Sequence, residues 1–167
     1  HKVINCTRDL NPFAYVLHLD GKEIKNGATS KQVQEWRDHS TRALEIVGKY
    51  AGGAEKLAVE NLEHYALDLI LPVINSVRVS WCVDVGHLWL DGHDPLPYLH
   101  EALARTKVIH IHGIAERDHK SLAHTPPEKL KAVIGLLKRV NFSGVMTLEV
   151  FGEEDFLSSM ETLKGLS

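Results

Sequence analysis

Five apolar runs end on side chains that can do chemistry. His18 follows "VL" in VLHLDG, Glu60 closes AVENL, and Asp84 and His87 stand in WCVDVGH. His110 and His112 lie in VIHIHG, and Glu149 lies in TLEV. Aspartate and glutamate are depleted in strands and costly in a buried run unless paired, so Asp84 and Glu149 carry the strongest signal. Carboxylates gathered in a small volume repel one another and titrate abnormally, and a divalent cation removes the conflict by making them ligands. A shell of imidazole and carboxylate without thiolate suits Zn, Mn, Co or Fe better than Mg or Ca. The expected cofactor is therefore a divalent metal ion, Zn, Mn or Co, with donors enough for one ion or for two or three. His110 and His112 share a strand face by the period of two, and spacing does not decide which one binds and which one orients from behind. Taken singly, each strand-end carboxylate serves equally well as a helix cap or an ion-pair partner.

A further group follows the fourth run, where IAERDHKSLAHTPP sets Arg117, Asp118, His119 and Lys120 in a row. This is either an ordinary solvated connection or a loop that brings His119 over the site, with Arg117 and Lys120 holding an anion. The other histidines, His39, His64, His93, His100 and His124, fall in helices or polar loops and read as solvated. Trp36, Trp81 and Trp89 read as packing residues and Cys82 as a small buried filler. In the segment after Asp84, Gly86 reads as the residue that permits a tight turn.

The elements that must position these groups alternate strictly. FAYVLHL (13–19) reads as a strand and precedes a helix over 29–50, capped by Thr29 or Ser30, in which Val33, Trp36, Ala43, Leu44 and Val47 recur at helical spacing. KLAVENL precedes a helix over 63–76, VRVSWCVDV one over 95–106, KVIHIHG one over 125–140 opened by paired prolines, and GVMTLEVF one over 153–166. Strand and helix in alternation, with strands apolar on both faces, imply parallel strands covered by crossover helices. No Gly-rich phosphate loop follows any strand, which removes the usual mark of a nucleotide-binding open sheet. The polar residues fall at the C-terminal ends of the strands, where a (β/α)8 TIM barrel carries its chemistry, so the expected class is α/β and the expected architecture that barrel. Five units leave such a barrel about three short. Residues 1–167 are expected to form a single, partial domain.

Composition bounds the function. With 167 residues and 44% hydrophobic content the chain can build one core, and a net charge of −3 argues against a broad basic surface for nucleic acid. No apolar run is long enough for a membrane span. Two distant cysteines, Cys6 and Cys82, fit a reducing compartment, and the expected location is cytoplasmic. Sheet edges left open by missing strands invite self-association.

Glu in VENL, Asp-x-x-His in DVGH, a strand histidine in HIHG and the final LEV resemble the xylose isomerase-like (β/α)8 superfamily, also known as AP endonuclease family 2. That superfamily includes endonuclease IV and many sugar isomerases and epimerases. The resemblance spans the whole chain and corresponds to about strands four to eight. It implies a central metal shell of Glu60, Asp84, His110 and Glu149, with His87 a further ligand or a substrate contact. Endonuclease IV-like members add histidines at positions matched by His18 and His119. Their Asp-x-His loop motif is altered here, since Arg117 stands where the aspartate would be.

AYVLHLDG, DVGHLWLDGHD, IHIHG and RDHKSL are more narrowly similar to the cobamide-remodelling hydrolases of this superfamily. The first expectation that follows is metal-dependent hydrolysis of a phosphodiester in the nucleotide loop of a cobamide. Glu60 and Glu149 would be catalytic, and Arg117, Lys120 and His112 would bind substrate. The alternative is a sugar isomerase or epimerase using Glu60 and Glu149 as an acid and base pair, and a second alternative is a non-catalytic subunit that completes its barrel with another chain.

Overall fold

Short, mostly apolar runs form strands here, and helices follow them in the alternation the periodicity requires. The computed structural model describes residues 2–25, 27–66 and 68–166. The chain divides into two compact units, one running to residue 82 and including 105–107, the other holding 83–104 and 108 onward.

The first unit contains α1 (Lys2–Thr7), β1 (Tyr15–Leu17), α2 (Lys22–Lys25), α3 (Ser30–Ala51), β2 (Leu57–Glu60) and α4 (Leu71–Val77), and it contains all but the end of β3 (Ser80–Asp84). Thr29 caps α3 through a capping box: its hydroxyl accepts the Gln32 N–H at 3.3 Å, and the Gln32 side chain accepts the Thr29 N–H at 2.9 Å. Gly52, at φ 87°, ends the helix in the left-handed conformation that glycine tolerates. Of the apolar residues expected on the inner face of α3, Leu44 is buried and Ala43 is exposed. Strands β1, β2 and β3 pair in parallel, with Tyr15 opposite Leu57 and Glu60 opposite Cys82. Leu57, Ala58 and Val59 are fully buried, as a strand covered on both faces must be.

The helix expected over 63–76 is shorter than its pattern suggests. His64 sits at φ 63° in a turn, and α4 begins at Leu71 with Pro72 in its first turn, so the described residues of 63–70 are not helical. Leu67 lies outside the described residues. Arg78, at φ 57°, stops α4, and the strand expected from Val77 starts at Ser80. The Arg105 guanidinium closes this helix end by donating to Ile74 O at 2.8 Å and Asn75 Oδ1 at 2.9 Å.

The second unit holds the end of β3, then α5 (Val85–Leu90), α6 (Pro95–Ala102), most of β4 (Thr106–Ile111), α7 (Pro127–Arg139), β5 (Val145–Leu148) and α8 (Glu153–Lys164). β4 and β5 are parallel, with Val108 opposite Val145 and His110 opposite Thr147. The strand order is β1-β2-β3-β4-β5, so each strand follows its predecessor in both sequence and space. α7 buries Leu130, Val133, Leu136 and Leu137, a helical stripe, and begins at the paired prolines as expected. No helix among the described residues is long and apolar enough to cross a membrane.

Candidate metal centre

Each candidate side chain leaves its strand at the C-terminal end. Glu60 is the last residue of β2 and Asp84 the last of β3; His110 is next to last in β4, and Glu149 follows β5 directly. The Glu149 N–H donates to Ile111 O at 3.1 Å, which continues the β4–β5 ladder one residue past the strand and fixes the carboxylate.

In the first unit, His18 Nε2 lies 2.9 Å from Glu60 Oε2. Glu60 is buried, while the His18 side chain is 57% exposed, so the pair joins an interior carboxylate to the surface.

In the second unit, Asp84, His110 and Glu149 come together, with ligand atoms within 4.8 Å of one another. His110 Nδ1 is 2.7 Å from Glu149 Oε2 and 3.9 Å from Asp84 Oδ2. Despite that proximity Glu149 Oε2, a buried atom, makes no hydrogen bond among the described residues. Two carboxylates and an imidazole converging this closely, with a buried oxygen left unsatisfied, are what a cation would satisfy, and nitrogen and carboxylate oxygen are the donors a borderline ion such as zinc prefers. The residues present therefore fit a divalent metal.

A second group adjoins it. His87, His112 and His119 also place ligand nitrogens within 4.8 Å of one another. Asp84 Oδ1 accepts the His87 backbone N–H at 2.8 Å and lies 3.3 Å from His112 Nε2. Burial pushes the Asp84 carboxyl up, but His112 and His87 outweigh it and hold it below its usual 3.8. Burial likewise opposes charge on His112, and the facing carboxylate reverses this, drawing the imidazole above 6.5. Burial and then the neighbouring His112 push His119 down, against the carboxylates of Asp118, Glu149 and Asp84.

The protein positions these groups with devices the sequence pattern only partly showed. Asp84 is the N-cap of α5, so the cap reading and the ligand reading hold together for one carboxylate. Gly86 lies inside α5 and makes no tight turn; a Cβ there would come 2.2 Å from His112 Nε2, so glycine is required to let the ring pack against the helix. The loop carrying Arg117, Asp118 and His119 is pinched at its base by paired bonds between Gly113 and Lys120, and a Cβ on Gly113 would collide with Ser121 O. α8 holds the far side of that loop: Asp155 takes the Ser121 N–H at 3.0 Å and Lys120 Nζ at 3.1 Å, and Ser159 Oγ takes the Leu122 N–H at 2.9 Å.

Lys120, expected to hold an anion, is thus engaged with Asp155, with Glu116 3.5 Å away. Arg117 stays exposed, and His112, expected to bind substrate, has no exposed surface. His119, at φ 54°, stacks on the ring of Phe151 at 4.7 Å, a partner that nothing in the local pattern marked beyond its place two residues after Glu149. His39, His64, His93, His100 and His124 are exposed, as expected, and Trp81, Trp89 and Cys82 are buried.

A model of the xylose isomerase-like TIM barrel family matches residues 2–166. A search of curated sequences finds no match. Among solved structures, 3-keto-D-glucoside 4-epimerase YcjR from E. coli is similar with a TM-score of 0.72 at 14% identity, covering 99% of this chain and 67% of that one. A D-tagatose 3-epimerase-like protein is similar with a TM-score of 0.73 at 19% identity, covering 98% and 65%. An IOLI protein with a bound zinc atom gives a TM-score of 0.70 at 16% identity, covering 99% and 66%. The chain thus spans about two thirds of the length of these structures. The cobamide-hydrolase branch expected from the sequence finds no support among them.

Proposed function

Because the chain belongs to the xylose isomerase-like TIM barrel family, we propose that it is a metal-dependent enzyme that isomerises or epimerises a sugar. The observation that carries this reading is the convergence of Asp84, His110 and Glu149 at strand ends in the second unit; the epimerases among the similar structures add to it. Asp84, His110 and Glu149 would hold the ion. A divalent ion so held polarises a substrate carbonyl and makes the adjacent C–H more acidic.

Glu149 would act as base on that C–H. Its side chain is 26% exposed, enough to reach a substrate carbon, and His110 Nδ1 lies 2.7 Å from Oε2. A partner acid would return a proton to the intermediate enediolate. In the first unit, the exposed His18 lies 2.9 Å from Glu60 Oε2 and would exchange protons between that carboxylate and solvent. Arg117, exposed on the pinched loop, would contact substrate hydroxyls.

The test is incubation of full-length protein with a panel of ketoses and Mn, Co or Zn in turn, with products separated by chromatography. Interconversion that needs metal supports the proposal, and failure with every sugar and every metal overturns it.

Hydrolysis of a cobamide phosphodiester remains as a second reading on one observation, the imidazole group of His87, His112 and His119 beside the mixed cluster. Clusters of more than one ion suit phosphoester hydrolysis, where both attacking and leaving oxygens need stabilising. Release of cobinamide phosphate from a cobamide by the same metal-loaded protein would favour it.

A further inference from the structure

We infer that the cleft between the end of α5, the start of α6 and the first half of α7 is a non-catalytic binding site for a neutral monosaccharide.

The cleft encloses about 400 Å³ and lies wholly within the second unit. That size falls among ligand sites, which span about 300–1,000 Å³. No residue that lines it belongs to the cluster of Asp84, His110 and Glu149, or to the group of His87, His112 and His119. The turn between two short helices builds it. Gly92, at φ 76°, swings the chain off the end of α5, donating its N–H to Trp89 O at 3.0 Å, while the His93 N–H goes to Leu88 O at 2.8 Å. Asp94 then caps α6 by accepting the Leu96 N–H at 3.0 Å. A Cβ on Gly92 would meet nothing within 4 Å, so the turn borders open space.

The lining sets the class of ligand. One wall is apolar, made by Trp89, Pro95, Leu96, Ala132 and Val133. Trp89, Pro95 and Val133 are buried, so the core holds this wall in place and an incoming ring meets a surface that needs no ordering. The rim is polar and exposed: His93, Asp94, Glu128 and Lys129. Two carboxylates stand there with one ammonium and one imidazole, so neither sign of charge dominates. An anion would meet Asp94 and Glu128, and a cation would meet Lys129. A purely apolar ligand would strip water from these groups and give them no partner. A sugar ring satisfies both surfaces, because its C–H face packs on an apolar and aromatic wall while its hydroxyls donate to carboxylates and accept from the ammonium.

This inference does not rest on the sugar-epimerase reading, since the cleft shares no residue with the metal cluster. The experiment uses full-length, metal-free, 15N-labelled protein titrated with D-fructose and, separately, with D-glucose, and follows the indole N–H signals by NMR. Trp89→Phe identifies which signal belongs to Trp89. That signal should move saturably with at least one of the two sugars, and Glu149→Gln should leave the movement unchanged. Glu128→Ala, at an exposed position, should weaken the binding about five- to tenfold. Ala132→Phe, which fills the cleft, should abolish it, and circular dichroism confirms that each variant is folded before it is scored. A Trp89 signal that neither sugar moves, a movement lost with Glu149→Gln, or an affinity that Glu128→Ala leaves unchanged overturns the inference.

Discussion

Asp84 uses the two oxygens of one carboxylate differently. Oδ1 caps α5 through the His87 N–H, and Oδ2 faces His110 and His87, at 3.9 Å and 3.6 Å. Asparagine caps a helix about as well as aspartate but brings no charge. Asp84→Asn should therefore keep metal-free stability within about 1 kcal/mol of the parent, while lowering metal affinity by about tenfold or more. Asp84→Ala loses both functions and costs about 0.5–2 kcal/mol from the cap alone. Urea unfolding of metal-free protein and metal titration separate the two effects. Gly86 makes a second residue-scale prediction. A methyl group there meets His112 at 2.2 Å, so Gly86→Ala should destabilise the fold by about 1–3 kcal/mol and disturb the His112 ring. A thermal melt with no loss of stability would contradict this account of the glycine.

At the scale of elements, α8 and the loop before α7 are clasped by Asp155. The Lys120 ammonium, helped by the Ser121 N–H, holds the Asp155 carboxyl below 3.8, and Asp155 in turn lifts Lys120 above 10.5. A carboxyl with a depressed folded pKa contributes stability above its unfolded value, and loses it as pH falls through the folded one. A raised lysine contributes below its unfolded value and loses it as pH rises through the folded one. The clasp is therefore complete from about pH 4 to about pH 10. Asp155→Asn should lower stability across that window, and the difference from the parent should shrink as pH falls below about 4, a pattern that urea midpoints against pH would show.

The alternation of strands and helices, and the strand-end residues, were legible because buried strands carry few polar groups, so each exception stands out. The helix α5 was hidden, because six residues after a strand carry too little periodicity. The role of Gly86 was hidden too, because what it meets, His112, lies 26 residues away, just past the end of β4. Phe151 and the serines of α8 were invisible for the same reason: their partners are set by packing across elements rather than by spacing along the chain.

For the whole molecule, five parallel strands in sequential order match the strand-and-helix units of a TIM barrel, and the family assignment agrees. β5 ends that order and is poorly covered: Val145 and Met146 are 45% and 42% exposed. On α8, Phe156, Leu157 and Met160 are exposed as well. An apolar edge strand of this kind templates pairing with another strand. This chain should therefore self-associate as its concentration rises, and a Val145→Lys, Met146→Lys double variant should shift it towards monomer in analytical ultracentrifugation.

On the proposed function, Glu149, placed by β5 beside His110, removes a proton from the carbon next to a metal-polarised sugar carbonyl. Incubation of the metal-loaded full-length protein with its best ketose in D2O, followed by proton NMR, tests it most directly. Solvent deuterium should enter that carbon in the wild type and not with Glu149→Gln under the same metal loading. Turnover without deuterium entry, or unchanged entry with Glu149→Gln, would contradict it.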